Sequence, residues 1–192
     1  SCVKQNTPVE PTEDEIDRSI SHKTAALLYN ILPSSKSWRR GLSLETVVKI
    51  AHARSIPVIV DASAILPPLS NLIDVPATGA DLVTFSGGKA LEGPQGTGIL
   101  CGRTDLICAA RKNANPNQSV GRAMKVGKEE MVGLLVAVER YFLRDHEADQ
   151  ERWLAMCKHV AGVLEEGSGI DAQVVFWESR GIPAVSLSVK QG

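Results

Sequence analysis

Residues 81–100 read DLVTFSGGKALEGPQGTGIL, and the fold turns on how this stretch is divided. An apolar run, ADLVTFS (80–86), has the β-branched and aromatic content of a strand. Two glycines and Lys89 follow it, then the turn formers of GPQG, then a second strand-like run, GTGILCGR (96–103). Upstream, IPVIVDAS (56–63) is the kind of run that a parallel sheet buries on both faces, and it closes on an aspartate. Before it, SLETVVKIAHARS (43–55) carries helical spacing with Ser43 as its cap, and KTAALLYNIL (23–32) reads as a buried strand. With the short NLIDVPATGA segment (71–80) between the two later strands, the alternation is βαβαββ, which predicts an α/β fold. The expected architecture is a three-layer αβα arrangement with a mostly parallel sheet.

Beyond residue 126 the pattern changes. Lys128–Glu166 is a long amphipathic helical stretch stopped by Gly167-Ser-Gly169, followed by strand-like AQVVFWES (172–179) and PAVSLSV (183–189) joined at Arg180-Gly181. The expected division is 1–126 as one half of a large domain and 127–192 as the start of a smaller α+β domain. Composition bounds the partners: 21 basic against 22 acidic residues and a net charge of -1 give no electrostatic reason to expect nucleic acid or an anionic membrane. No segment approaches the roughly 20 apolar residues of a membrane helix, and the polar, acidic N-terminal stretch lacks a secretory pattern, so a cytoplasmic location is expected. The four cysteines and four histidines show no metal-binding or disulfide spacing.

In parallel α/β sheets ligands gather outside the carboxyl ends of the strands. Asp61 closes one strand, and Lys89 lies just past its neighbour, 28 residues on. A lysine amine able to form a Schiff base and a carboxylate able to hold a pyridine nitrogen protonated are the two groups that pyridoxal 5'-phosphate needs. Ser86 offers a hydroxyl to a phosphate, Ser63 stands where it would lie against a ring face, and Gly87 and Gly88 would let the backbone approach that ring. Taken singly, each has a plainer reading: Lys89 as a solvated loop lysine, Asp61 as a strand-end turn former, Ser63 and Ser86 as turn or cap residues. Their order and spacing together favour the cofactor. Gln95 reads as part of a tight turn or as the floor of a pocket.

The segments VIVDASAILPP, DLVTFSGGKALEGPQGTGILCGR and GRAMKVGKEE together resemble the fold type I pyridoxal phosphate enzymes of the aspartate aminotransferase superfamily. Within these, the resemblance is to the branch of selenocysteine synthase and the D-glucosaminate-6-phosphate ammonia-lyase-like proteins, over about residues 20–160. It implies that Lys89 is the Schiff-base lysine, that Asp61 partners the pyridine nitrogen, that Ser86 is the phosphate-side serine, and that GTGILCGR runs antiparallel to its sheet. Many of these enzymes carry alanine where Ser63 stands.

Enzymes of this kind are about twice as long, and their glycine-rich phosphate loop and ring-stacking residue would precede Ser1. The expected activity is α-proton removal and β-elimination on an amino acid or amino sugar acid, as in an ammonia-lyase or a selenium transferase. The alternatives are an aminotransferase, a cysteine-desulfurase-like enzyme, or a non-catalytic remnant that binds a partner subunit. The resemblance also implies a homodimer. Arg122 and Lys125, with Lys128, form a basic cluster suited either to an anionic substrate or phosphate or to a solvated hinge. Trp38, Arg39 and Arg40 carry a weaker suggestion of substrate or subunit contact.

Two look-alike motifs fail on spacing. In Gly121–Lys128, GRAMKVGK, five residues separate glycines that a phosphate loop spaces by four, and Glu129 replaces the magnesium-holding hydroxyl. Ser86-x-x-Lys89 lacks the companion elements of the serine acyl-enzymes.

Overall fold

The computed structural model describes residues 11–31, 41–165, 169–177 and 181–189. Trp38, Arg39 and Arg40 lie outside the described residues. Six helices and six strands are described, in the order α1 (Glu13–Ser19), β1 (Leu27–Asn30), α2 (Leu44–Ala53), β2 (Val58–Asp61), α3 (Asn71–Ala77), β3 (Leu82–Ser86), β4 (Gly98–Gly102), α4 (Thr104–Asn113), α5 (Lys128–Leu143), α6 (His146–Glu165), β5 (Ile170–Trp177) and β6 (Ile182–Val189). The expected βαβαββ core is present, and GTGILCGR contributes the antiparallel strand.

The first sheet runs β1-β2-β3-β4, parallel except for β4. Side chains alternate across it. One face carries Val58, Val60, Val83 and Phe85, with Val58, Val60 and Val83 wholly buried. Against this face pack Leu44, Val48 and Ala51 from α2, Val75 from α3 and Tyr141 from α5. Each valine so buried stabilises the fold by about 1.5–3 kcal/mol. The register sets Ile59 beside Leu28 and Leu82, and Asp61 beside Asn30 and Thr84, on the opposite face, where Leu28 is exposed.

The amino ends of the strands are pinned by one carboxylate. Asp81, buried at the start of β3, accepts from Val58 N at 2.7 Å, from Arg103 Nη1 at 2.7 Å and bonds His52 Nε2 at 2.9 Å. Burial pushes this carboxyl up, but the bonds from His52, the Val58 amide and Arg103 outweigh it and hold the group below the usual range. His52 therefore does more than fill a helix surface: it ties α2 to the sheet.

Residues 128–165 form two helices where one was expected. Arg144 leaves helical geometry with ψ 141°, and Asp145 caps the start of α6, its Oδ1 accepting from Ala148 N at 3.0 Å. Arg144 then bridges Glu92 at 2.9 Å and pairs with the buried Asp149. Helix α5 begins where Glu130 Oε2 accepts from Gly127 N at 2.8 Å, and its Leu134, Val138 and Tyr141 lie on the first sheet's core. Strands β5 and β6 pair antiparallel, from Ile170 opposite Val189 to Trp177 opposite Ile182. Two short helices, α1 and α4, were not expected; α1 starts with a capping box in which Thr12 and Glu15 bond each other's backbone.

Candidate cofactor site

The parallel pairing of β2 with β3 puts Asp61 level with Thr84, so that the chain leaves β3 at Ser86 immediately beside the end of β2. Past Asp61 the backbone turns at once: Ser63 N donates to Asp61 Oδ1 at 2.9 Å, a local bond that aspartate commonly makes two residues on. Past Ser86 it turns through Gly87 and Gly88, and Lys89 Nζ donates to Ser63 Oγ at 3.2 Å. Asp61, Ser63 and Lys89, expected in one crevice from their order alone, are thus linked by two hydrogen bonds. Asp61 is half-buried, and its second carboxylate oxygen bonds none of the described residues. The Ser86 hydroxyl is likewise unengaged by them.

The turn that presents Lys89 is held by the next stretch of chain. Gly87 N donates to Thr97 O at 3.0 Å, Gly93 N to Gly87 O at 2.8 Å and Glu92 N to Lys89 O at 2.9 Å. Gln95 Nε2 donates to Gly88 O at 2.9 Å, and the buried Thr97 hydroxyl donates to Pro94 O at 2.6 Å. The absence of a Cβ at both glycines permits this closure. A Cβ on Gly87 would lie 2.1 Å from Thr97 Oγ1 and 2.8 Å from Leu134 Cδ1, and one on Gly88 2.6 Å from Gln95 Cα. Protein atoms fill the space that a Cβ would need at both positions. Gln95 is a clamp on the lysine turn through its bond to Gly88 O. Thr97 was not singled out from the sequence, and nothing local in GTG would have marked it.

Arg122 and Lys125 follow α4 in the segment leading to α5. Neither side chain makes a hydrogen bond or ion pair with the described residues, and none joins either to Lys89 or Asp61.

The site's donor set fits pyridoxal 5'-phosphate: an amine held by a single neutral hydroxyl, a carboxylate with a spare oxygen at the neighbouring strand end, and an unengaged hydroxyl at the end of β3. Comparison with known proteins bears on this directly. The model of the family described as aminotransferase class-V matches residues 2–128. The chain belongs to the aminotransferase class-V family. That family, with the relatives below, is one of pyridoxal phosphate enzymes.

Among curated relatives, the chain is 34% identical over 181 residues to a 5'-C-glycyluridine monooxygenase-decarboxylase of a Streptomyces species, covering 94% of this chain and 43% of that protein. It is 36% identical over 164 residues to the D-glucosaminate-6-phosphate ammonia lyase of Salmonella typhimurium, covering 85% and 41%. To the L-seryl-tRNA(Sec) selenium transferase of Solidesulfovibrio magneticus it is 33% identical over 148 residues, covering 69% and 29%. A solved structure of D-glucosaminate-6-phosphate ammonia-lyase superposes with a TM-score of 0.71 at 32% identity, over 97% of this chain and 47% of that one. Both branches named by the sequence resemblance are therefore among its relatives. The chain spans less than half the length of these relatives.

Proposed function

We propose that this chain carries the lysine half of a pyridoxal phosphate site in an enzyme that removes an α-proton from an amino acid or amino sugar acid and eliminates at the β-carbon. The observation that carries this reading is the Asp61–Ser63–Lys89 linkage across two strand ends, in a chain whose family uses this cofactor. Bound here, the cofactor would supply a carbonyl for the amine and a ring that withdraws electrons from the substrate's α-carbon. Asp61, through its spare oxygen, would hold a proton at the ring nitrogen, Ser86 would offer its hydroxyl to the phosphate, and Ser63 would stand beside the ring. Lys89 would anchor the cofactor and, once freed by the substrate amine, would serve as the base for the α-proton. Arg122 and Lys125 are proposed to meet an anionic group of substrate or cofactor. The likeness to an ammonia lyase and to selenium transferases favours elimination over transamination.

The boundary is proposed at 126–127, with α5 as the connecting helix and α6 with the β5–β6 pair as the beginning of the smaller α+β unit. A homodimer is proposed as the working form. Helix α5 presents Leu134, Val138 and Tyr141 to the core, yet Val132, Leu135 and Leu143 stand exposed away from that stripe. A helix apolar on both sides belongs against a second surface, and a second copy of the chain supplies one. No helix among the described residues is long and apolar enough to cross a membrane, and the cytoplasm is the proposed location.

The test is spectroscopic. Protein incubated with pyridoxal 5'-phosphate and then dialysed is expected to retain a visible absorbance band that Lys89→Ala loses; a wild-type protein that stays colourless overturns the reading.

A further inference from the structure

The hydrogen bond from Lys89 to Ser63 gives the serine more to do than lie beside a ring. Lys89 is exposed, on a long flexible stem, and its amine makes one hydrogen bond among the described residues, to Ser63 Oγ at 3.2 Å. The neighbouring carboxylate of Glu92 is engaged by Arg144 at 2.9 Å. The Ser63 backbone is held at the end of β2, where its N–H donates to Asp61 Oδ1, so the residue that carries the hydroxyl is placed by the strand end.

The chemistry of the acceptor matters. A carboxylate at this distance would favour the ammonium form and hold back a nucleophile. A hydroxyl is both donor and acceptor: it accepts from an ammonium group and can donate to a neutral amine, so it holds either form in the same place. Alanine can do neither.

We propose that Ser63 is a positioning residue that keeps the Lys89 amine at the end of β2 whenever that amine is not covalently engaged. The inference rests on the reading of Lys89 as the cofactor lysine, and it adds that the amine is pre-placed in the absence of cofactor. Ser63 acts through Lys89, not on substrate.

The test labels the amine directly. Protein without cofactor is reductively methylated under limiting formaldehyde, and the rate at each lysine is followed by peptide mass spectrometry. Lys49 and Lys112, exposed and bonded to none of the described residues, serve as internal references. Ser63→Ala is expected to raise Lys89 methylation relative to these by about threefold, which corresponds to about 0.7 kcal/mol of lost hydrogen bonding. Ser63→Thr, which keeps the hydroxyl, is expected to match the wild type. Unchanged Lys89 labelling in Ser63→Ala, or an equal rise in Ser63→Thr, overturns the proposal. A second arm adds pyridoxal 5'-phosphate at saturation and then borohydride. Both wild type and Ser63→Ala are expected to carry the reduced cofactor on Lys89; its absence from Lys89 in the wild type counts against the cofactor reading itself, separately from the labelling result.

Discussion

Replacing Gly87 with alanine is expected to damage the lysine turn severely, and the structure fixes the size of the effect. The added Cβ would sit 2.1 Å from Thr97 Oγ1, 2.8 Å from Leu134 Cδ1 and 3.1 Å from Thr97 Cβ. Restoring an ordinary contact of about 3.5 Å requires Thr97 Oγ1 to retreat by roughly 1.4 Å. It has little freedom to do so, since its hydroxyl is bonded to Pro94 O at 2.6 Å and the side chain is buried. Moving the backbone instead breaks the bonds from Gly87 N to Thr97 O and from Gly93 N to Gly87 O. Overpacking of this kind costs about 1–3 kcal/mol and a lost hydrogen bond about 1 kcal/mol more, so a loss of about 2–4 kcal/mol is expected. That is a large part of a typical total of about 5–15 kcal/mol. Urea unfolding followed by far-ultraviolet circular dichroism measures it. The double variant with Thr97→Ala is expected to show a favourable coupling of about 1–2 kcal/mol, because one of the two colliding side chains is gone. A Gly87→Ala protein within about 1 kcal/mol of the wild type, or a double variant whose losses simply add, would refute the packing argument.

Two further outcomes concern other contacts. Asp81→Asn is expected to cost about 2 kcal/mol at neutral pH: the amide keeps one oxygen to accept from the Val58 N–H, but it loses the charge that holds His52 and Arg103 and turns its NH2 toward the Arg103 guanidinium. Since the folded state holds the Asp81 carboxyl below its ordinary value, its contribution is present above about pH 4 and is lost as pH falls through the lower folded value. The gap between wild type and variant in urea midpoint should therefore narrow on acidification below pH 4, and a gap that widens there would contradict the assignment. Leu135→Lys, at an exposed position on the outer side of α5, is expected to convert a dimer to a monomer in sedimentation velocity; a wild type that already sediments as a monomer removes the dimer proposal.

Much of this arrangement was legible in the residues. The β-branched runs ending at Asp61 and Ser86 gave adjacent parallel strands because such runs are comfortable only when covered, and Ser43 marked the start of α2. The convergence of Asp61 and Lys89 came from strand order alone. What escaped was set by contacts distant in sequence. Thr97 and Gln95 matter because the chain folds back upon the glycine turn, which no local pattern states. The break at Arg144–Asp145 had a visible signal in the aspartate cap, hidden by helical periodicity on either side. Helix α4 buries none of its residues and has no side-chain cap, so little announced it. The bond from His52 to Asp81 spans 29 positions, beyond the reach of any local pattern.

The central claim is that one cofactor is anchored on the amine at the end of β3 beside the carboxylate at the end of β2. Borohydride reduction of the cofactor-treated protein, then proteolysis and mass mapping, tests it most directly. The account predicts the added mass on the peptide containing Lys89 and nowhere else. The same mass spread over other lysines, or found on none, would contradict it.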